Sequence, residues 1–196
     1  MSKSRLEGPR LILASASPRR RELLARLGIE PARVVHGNID ETPLMCEVPA
    51  HYAVRMAREK AATAADARAF VLAGDTVVAL GRRILPKAED EATARRCLDL
   101  LSGRRHRVLS AVALLAPDGT LRERLSETAV RFKRLSPEEV AAYLASGEWH
   151  GKAGGYAIQG RAEGLVAWIS GSHSGVVGLP LFETRALLRA AGFAVD

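Results

Sequence analysis

The sequence predicts an α/β fold, and three observations carry that expectation. Residues 10–15 (Arg-Leu-Ile-Leu-Ala-Ser) read as a short buried strand that passes through Ala16-Ser17-Pro18 into a stretch, Arg19 to Leu27, whose Leu23, Leu24 and Leu27 recur at helical spacing. Further strand patterns at 70–80, 105–115 and on through Phe132 are interleaved with helical patterns at 50–66, 91–101 and from Ser136 to about Ser146. The chain has 196 residues, 47% hydrophobic and 26% charged, which is the composition of a globular protein with room for one substantial core; we take 1–196 as a single domain.

Each element has a local reason. Ser17 is a good N-cap and Pro18 suits the first helical position, so the free backbone N–H groups of that loop should face whatever lies beyond the strand end, and Gly28 closes the helix. After an extended 32–35, residues 37–49 carry Asp40-Glu41-Thr42-Pro43 and read as loop. The helix over 50–66 should turn Tyr52, Val54, Met56 and Ala57 inward, with Arg55, Arg58, Glu59 and Lys60 elsewhere on the cylinder. The strand at 70–80 is apolar except for Gly74-Asp75-Thr76, and Gly81-Arg82-Arg83 is its turn. Residues 91–101 form a helix ending at Ser102-Gly103, 105–115 a strand, and Pro117-Asp118-Gly119 a turn into the next strand. Ser136-Pro137-Glu138-Glu139 is a capping box, 151–160 a glycine-rich loop, 165–169 a strand and 181–191 an amphipathic final helix.

Composition narrows the function. Cys46 and Cys97 form no CxxC pair, which speaks against a disulfide framework and for a reducing, cytoplasmic setting. Met1 to Pro9 lack the apolar core of a signal peptide, and no apolar run is long enough for a bilayer, so no membrane association is expected. The formal charge of +7 favours an anionic ligand, but the arginines are spread without aromatic interleaving, and nucleic acid is not the expected partner. Five histidines (His36, His51, His106, His150, His173) share no metal-ligand spacing, and neither a G-x-S-x-G elbow nor a Walker Gly-Lys-Ser/Thr loop is present.

Three groups could carry chemistry. Ser15, Ser17, Arg19 and Arg20 put hydroxyls and guanidinium groups on a helix N-terminus, an anion seat suited to phosphates; a capped helix with solvated arginines is the plainer alternative. Asp75 interrupts an apolar strand, so it must be paired, hydrogen-bonded or metal-bound, as a structural acid or as a group that binds Mg²⁺ or orients a water. Glu41, Lys60 and Lys87 would add a second acid and two ammonium groups, while Lys152 and Gln159 flank Ala153-Gly154-Gly155-Tyr156, where an amide can read a base edge.

Taken in order, Leu13-Ala14-Ser15-Ala16-Ser17-Pro18-Arg19-Arg20-Arg21-Glu22-Leu23-Leu24, Asp40-Glu41, Ala57-Arg58-Glu59-Lys60-Ala61, Gly74-Asp75-Thr76-Val77-Val78, Leu101-Ser102-Gly103 with His106-Arg107-Val108, the run from Lys152 to Gly160, and Val176-Val177-Gly178-Leu179-Pro180-Leu181 resemble the Maf family of nucleoside triphosphate pyrophosphatases over nearly the whole chain. The resemblance implies a mixed sheet with two lobes around a central cleft, similar to the inosine triphosphate pyrophosphatases, and hydrolysis of a nucleoside triphosphate to monophosphate and pyrophosphate. The family is linked to nucleotide-pool cleaning and to arrest of septum formation, and its likeness also implies a homodimer. By resemblance Asp75 matches the general base, Ser15, Arg19 and Arg20 the phosphate loop, Glu41, Lys60 and Lys87 the charged cleft, and Arg19, Thr76 and Gln159 the positions tied to substrate choice. Mg²⁺ or Mn²⁺ would be held by Asp75 and Glu41. Asp75-Thr76 and Ile158-Gln159-Gly160 look like the dTTP/UTP branch rather than the 7-methylguanosine triphosphate branch. The chain departs from the pattern at Gly74, Ala88 and Gly175. A non-catalytic nucleotide-sensing or nucleic-acid-binding regulator is the rival reading.

Overall fold

A computed structural model describes residues 10–195; the reading of residues 1–9 as free of a signal peptide falls outside them. Its centre is a seven-stranded mixed sheet. β1 (Arg10–Ala14) lies between β2 (Arg33–Val35) and β3 (Ala69–Leu80), parallel to both. β6 (Arg105–Leu115), β7 (Leu121–Phe132) and β9 (Val166–Ser170) continue the sheet antiparallel in the order β2-β1-β3-β6-β7-β9. β4 (Arg83–Leu85) folds back on the end of β3, and β5 (Lys87–Ala88) pairs with β8 (Lys152–Ala153) in a separate two-stranded ladder.

Alternation along β3 explains the layering, because successive side chains point to opposite faces. Ala69, Val71, Ala73, Val77 and Ala79 pack with Tyr52, Ala53, Met56, Ala57 and Ala61 of α2 (Pro49–Thr63). On the opposite face Phe70 and Leu72 join Leu23 and Leu24 of α1 (Pro18–Ala25) and Leu187 and Leu188 of α6 (Leu181–Ala190). Farther along that face Val78 belongs to another core, built with α3 (Glu91–Leu101) and α4 (Pro137–Ala145) and with Tyr156 and Ile158. Two lobes thus share one sheet, and Gly74 and Thr76 fall between them.

The sheet is split at the same point. One edge of β3 pairs with β6 from Val71 to Ala79; the other pairs with β1 as far as Ala73 and with β4 only from Val78. Residues 74–77 face the gap beyond the carboxyl end of β1, where the chain leaves to one side for β2 and returns on the other as β3. Crevices of this kind are where open α/β sheets bind ligands.

Several local expectations need correction. Ser17 sits at the N-cap of α1 but its hydroxyl makes no capping bond; its own N–H donates to Ser15 Oγ at 3.2 Å. α1 ends at Ala25, two residues early, because its last turn tightens before Gly28 at φ +70°. Val54 is half-buried, whereas Lys60, left off the inner face by the sequence reading, is buried on that stripe with Met56 and Ala57. Residues 151–160 are more than a loop, since β8 lies within them, and α5 (His173–Val177) and a 3-10 turn at Arg161–Leu165 were not foreseen. The capping box at Ser136 and Glu139 forms as expected. Among the described residues no helix is long and apolar enough to cross a membrane.

Candidate active site

A cavity of about 430 Å³ opens in the gap between the lobes. Its lining includes Ser15, Ser17, Arg19, Arg20, Glu41, Lys60, Asp75, Thr76, Lys87, Lys152 and Gln159, every position singled out from the sequence. The chain brings them from six separate segments. The strand-to-helix turn supplies Ser15 to Arg20, the 37–48 loop Glu41, α2 Lys60, the unpaired stretch of β3 Asp75 and Thr76, and the β5/β8 ladder Lys87 and Lys152, with Gln159 a few residues further on.

Asp75 points to the α2 side of the sheet, where Lys60 Nζ donates to its Oδ1 at 2.7 Å. The same ammonium lies 2.7 Å from Glu41 Oε1, and Lys87 Nζ lies 2.7 Å from Glu41 Oε2. A chain of alternating charge therefore runs Asp75, Lys60, Glu41, Lys87 from the buried floor to the rim. Burial pushes the Glu41 carboxyl up, but hydrogen bonds and charge from Lys60 and Lys87 outweigh it and bring it down to about 2. Glu41 is held from behind as well: Tyr52 Oη donates to its backbone carbonyl at 2.8 Å, while Arg55 reaches the Thr42 carbonyl and pairs with Glu47 at 2.7 Å.

Across the cavity Arg20 lies over Gly74, where a Cβ would stand 3.5 Å from its Nε. Its Nε donates to the Gly178 carbonyl at 2.8 Å and its Nη1 to Ser15 Oγ at 3.0 Å, which ties α1, β1 and the loop before α6 together. Burial lowers the Arg20 pKa, with Asp75 opposing the shift. Arg19 shares the lining, and its Nε is buried without a hydrogen-bond partner among the described residues. Lys152 is lowered by burial and then by the charge of Arg19, so the two cations lie close enough to repel. Thr76 Oγ1 meets Ser110 Oγ at 3.0 Å, and the Ser110 hydroxyl donates on to the Gly175 carbonyl.

The lining holds five cationic side chains (Arg19, Arg20, Lys60, Lys87, Lys152) against two carboxylates (Glu41, Asp75), a surplus of three positive charges in a small polar cleft. Such a site suits a polyanion. Two carboxylates with oxygens converging on one point are also a donor set that fits Mg²⁺ or Mn²⁺, ions commonly held by one or two protein carboxylates plus phosphate oxygens. Sequence reasoning passed over Tyr52, Ser110 and the lining residues His36 and His150. Ser110 carried a usable signal, a hydroxyl in an apolar strand like Asp75; Tyr52 carried none, because its ring reads as core.

Residues 10–191 match the family of Maf-like proteins. The chain belongs to that family. A protein named dTTP/UTP pyrophosphatase from Novosphingobium aromaticivorans is 71% identical over 191 residues, 96% of this chain and 95% of that one. A protein of the same name from Rhodospirillum rubrum is 59% identical over 192 residues, covering 97% and 91%. Among solved structures, the Ham1 protein of Staphylococcus aureus superposes with a TM-score of 0.44 at 15% identity over 63% of this chain and 71% of that one. A HAM1 protein from Coxiella burnetii gives 0.45 at 16% identity, covering 65% and 74%.

Proposed function

We propose that this Maf-like protein hydrolyses nucleoside triphosphates, dTTP and UTP foremost, to the monophosphate and pyrophosphate with a divalent cation. The observation that carries the reading is Asp75: a carboxylate at the open break in the sheet, walled by cations on both sides. The activity named for relatives of 71% and 59% identity supports the choice of reaction and base.

On this reading the triphosphate tail lies between the α1 arginines and the lysines of the facing lobe. Arg19, whose buried Nε lacks a partner, gains one in a phosphate oxygen and loses the cost of an unmet donor. Asp75 takes the proton from a water whose oxygen bonds to the α-phosphorus; the bond from that phosphorus to the bridging oxygen breaks, and pyrophosphate leaves. Lys87, Lys152 and Arg19 stabilise the charge on the departing group, a task for donors fixed before the reaction begins. Glu41 and Asp75 would hold Mg²⁺ or Mn²⁺, which supplies charge neutralisation at the phosphates. On this reading Thr76 and Gln159, which line the same cavity, contact the sugar and base. The reading assigns the protein to nucleotide-pool cleaning in the cytoplasm, where its free thiols Cys46 and Cys97 fit a reducing medium, and to a homodimer on family likeness alone.

Purified protein incubated with a panel of canonical and modified triphosphates, with Mg²⁺ or Mn²⁺, tests it through pyrophosphate release. Release is expected for dTTP and UTP above the purines and 7-methylguanosine triphosphate. Nucleotide binding without release across the panel would establish the non-catalytic regulator instead.

A further inference from the structure

We infer that Lys60 keeps a divalent cation out of the cleft until the triphosphate carries it in. The inference rests on the proposed function and concerns the order in which that site fills.

The Lys60 ammonium stands 2.7 Å from Glu41 Oε1 and 2.7 Å from Asp75 Oδ1, the two oxygens that a cation joining these carboxylates would use. A Mg²⁺ ion bonded to them at roughly 2.0–2.1 Å would lie against the ammonium, and two cations so close in a poorly solvated site repel strongly. Lys60 cannot step aside into water. It springs from the inner stripe of α2, between Met56 and Ala61, and only 10% of its side chain is exposed. Lys87 holds the remaining oxygen of Glu41, so that carboxylate is occupied on both sides.

Two further features oppose a metal arriving alone. Among the described residues no group of three or more His, Cys, Asp or Glu side chains is placed to hold an ion, so an ion arriving alone would have only these two carboxylates and its own waters to hold it. The surplus of three positive charges around the cavity raises the potential against any free cation. A triphosphate reverses each of these terms: its oxygens complete the coordination, its charge outweighs the surplus, and it offers Lys60 and Lys87 new acceptors. Lys60 thereby ties metal occupancy to nucleotide occupancy.

Calorimetric titration of Mn²⁺ into the full chain, with and without an α,β-methylene analogue of dTTP that cannot be cleaved, tests this without measuring turnover. Wild-type protein should bind Mn²⁺ at least about thirtyfold more weakly alone than with the analogue, and Lys60→Met should bind Mn²⁺ alone at least about tenfold more tightly than wild type. Lys60→Gln, which keeps a hydrogen-bond donor for the buried carboxylates, is expected to move in the same direction and stands in if Lys60→Met does not fold. Equal Mn²⁺ affinity with and without the analogue, or no gain in either folded variant, overturns the inference while leaving the hydrolase reading intact. Failure of the analogue to bind under any metal condition overturns both.

Discussion

Replacing Asp75 by Asn asks the sharpest question of this site. The two side chains have the same shape, and Asp75 is buried with 8% of its side chain exposed, so the variant should keep its place in the sheet. What it loses is the base and the charge. A positioned general base contributes about 10²–10⁴ in rate, so kcat should fall by that factor, equivalent to roughly 3–5 kcal/mol of barrier. Stability should suffer less. Removing one partner of a buried ion pair costs about 3–5 kcal/mol when the other is stranded. Here Lys60 keeps Glu41 at 2.7 Å, and the Asn amide oxygen still accepts from Nζ. We therefore expect about 1–3 kcal/mol, a melting temperature lower by about 2–12 °C for a chain of this size. Pyrophosphate release at saturating dTTP and Mg²⁺, paired with a thermal melt, separates the two effects. A folded Asp75→Asn protein retaining more than about a third of wild-type turnover would refute the base role, because a lost proton acceptor has no such mild outcome.

Two more outcomes follow from the packing. Gly154 has φ +66°, and a Cβ there would stand 2.8 Å from Val78 Cγ1; Gly154→Ala should cost about 2–4 kcal/mol from backbone strain and overpacking together and raise KM by shifting Lys152 and Gln159, checked by denaturant unfolding and steady-state kinetics, with an unchanged midpoint counting against the close approach. Burial moves His106 from its ordinary 6.5 to about 4 beneath Phe132 and Tyr156, so it folds neutral. As pH falls below 6.5 the unfolded chain takes up a proton that the folded one refuses, and stability drops until about pH 4, by on the order of 3 kcal/mol in all. His106→Gln should flatten the stability profile between pH 5 and 6.5, and equal slopes in the two proteins would show that the acid sensitivity arises elsewhere.

How much of this could be read before any coordinates depended on the range of the interaction. The capping box at Ser136, the turn at Gly119 and the long strands β3, β6 and β7 are local in cause, and their residues announce them. Ladders of two residues, such as β5 with β8, are too short to show a period, so the pairing that sets Lys87 beside Ala153 and Ala88 beside Lys152 was invisible. Lys60 is the instructive miss. It lies four residues beyond Met56, on the buried stripe by helical arithmetic, yet its charge argued against the inner face; the presence of Asp75 and Glu41 around its ammonium makes that burial tolerable.

By itself, then, the sequence determined the α/β class, most of the elements and the short roster of polar residues that needed an explanation, because periodicity, caps and a charge in a greasy strand are properties of neighbours along the chain. Tertiary structure alone decided that the roster converges on one break in the sheet, that a single ammonium spans both carboxylates, and that cations outnumber acids there by three. Those facts depend on which segments meet across long loops, and no local propensity encodes the distance between two side chains that only folding brings together.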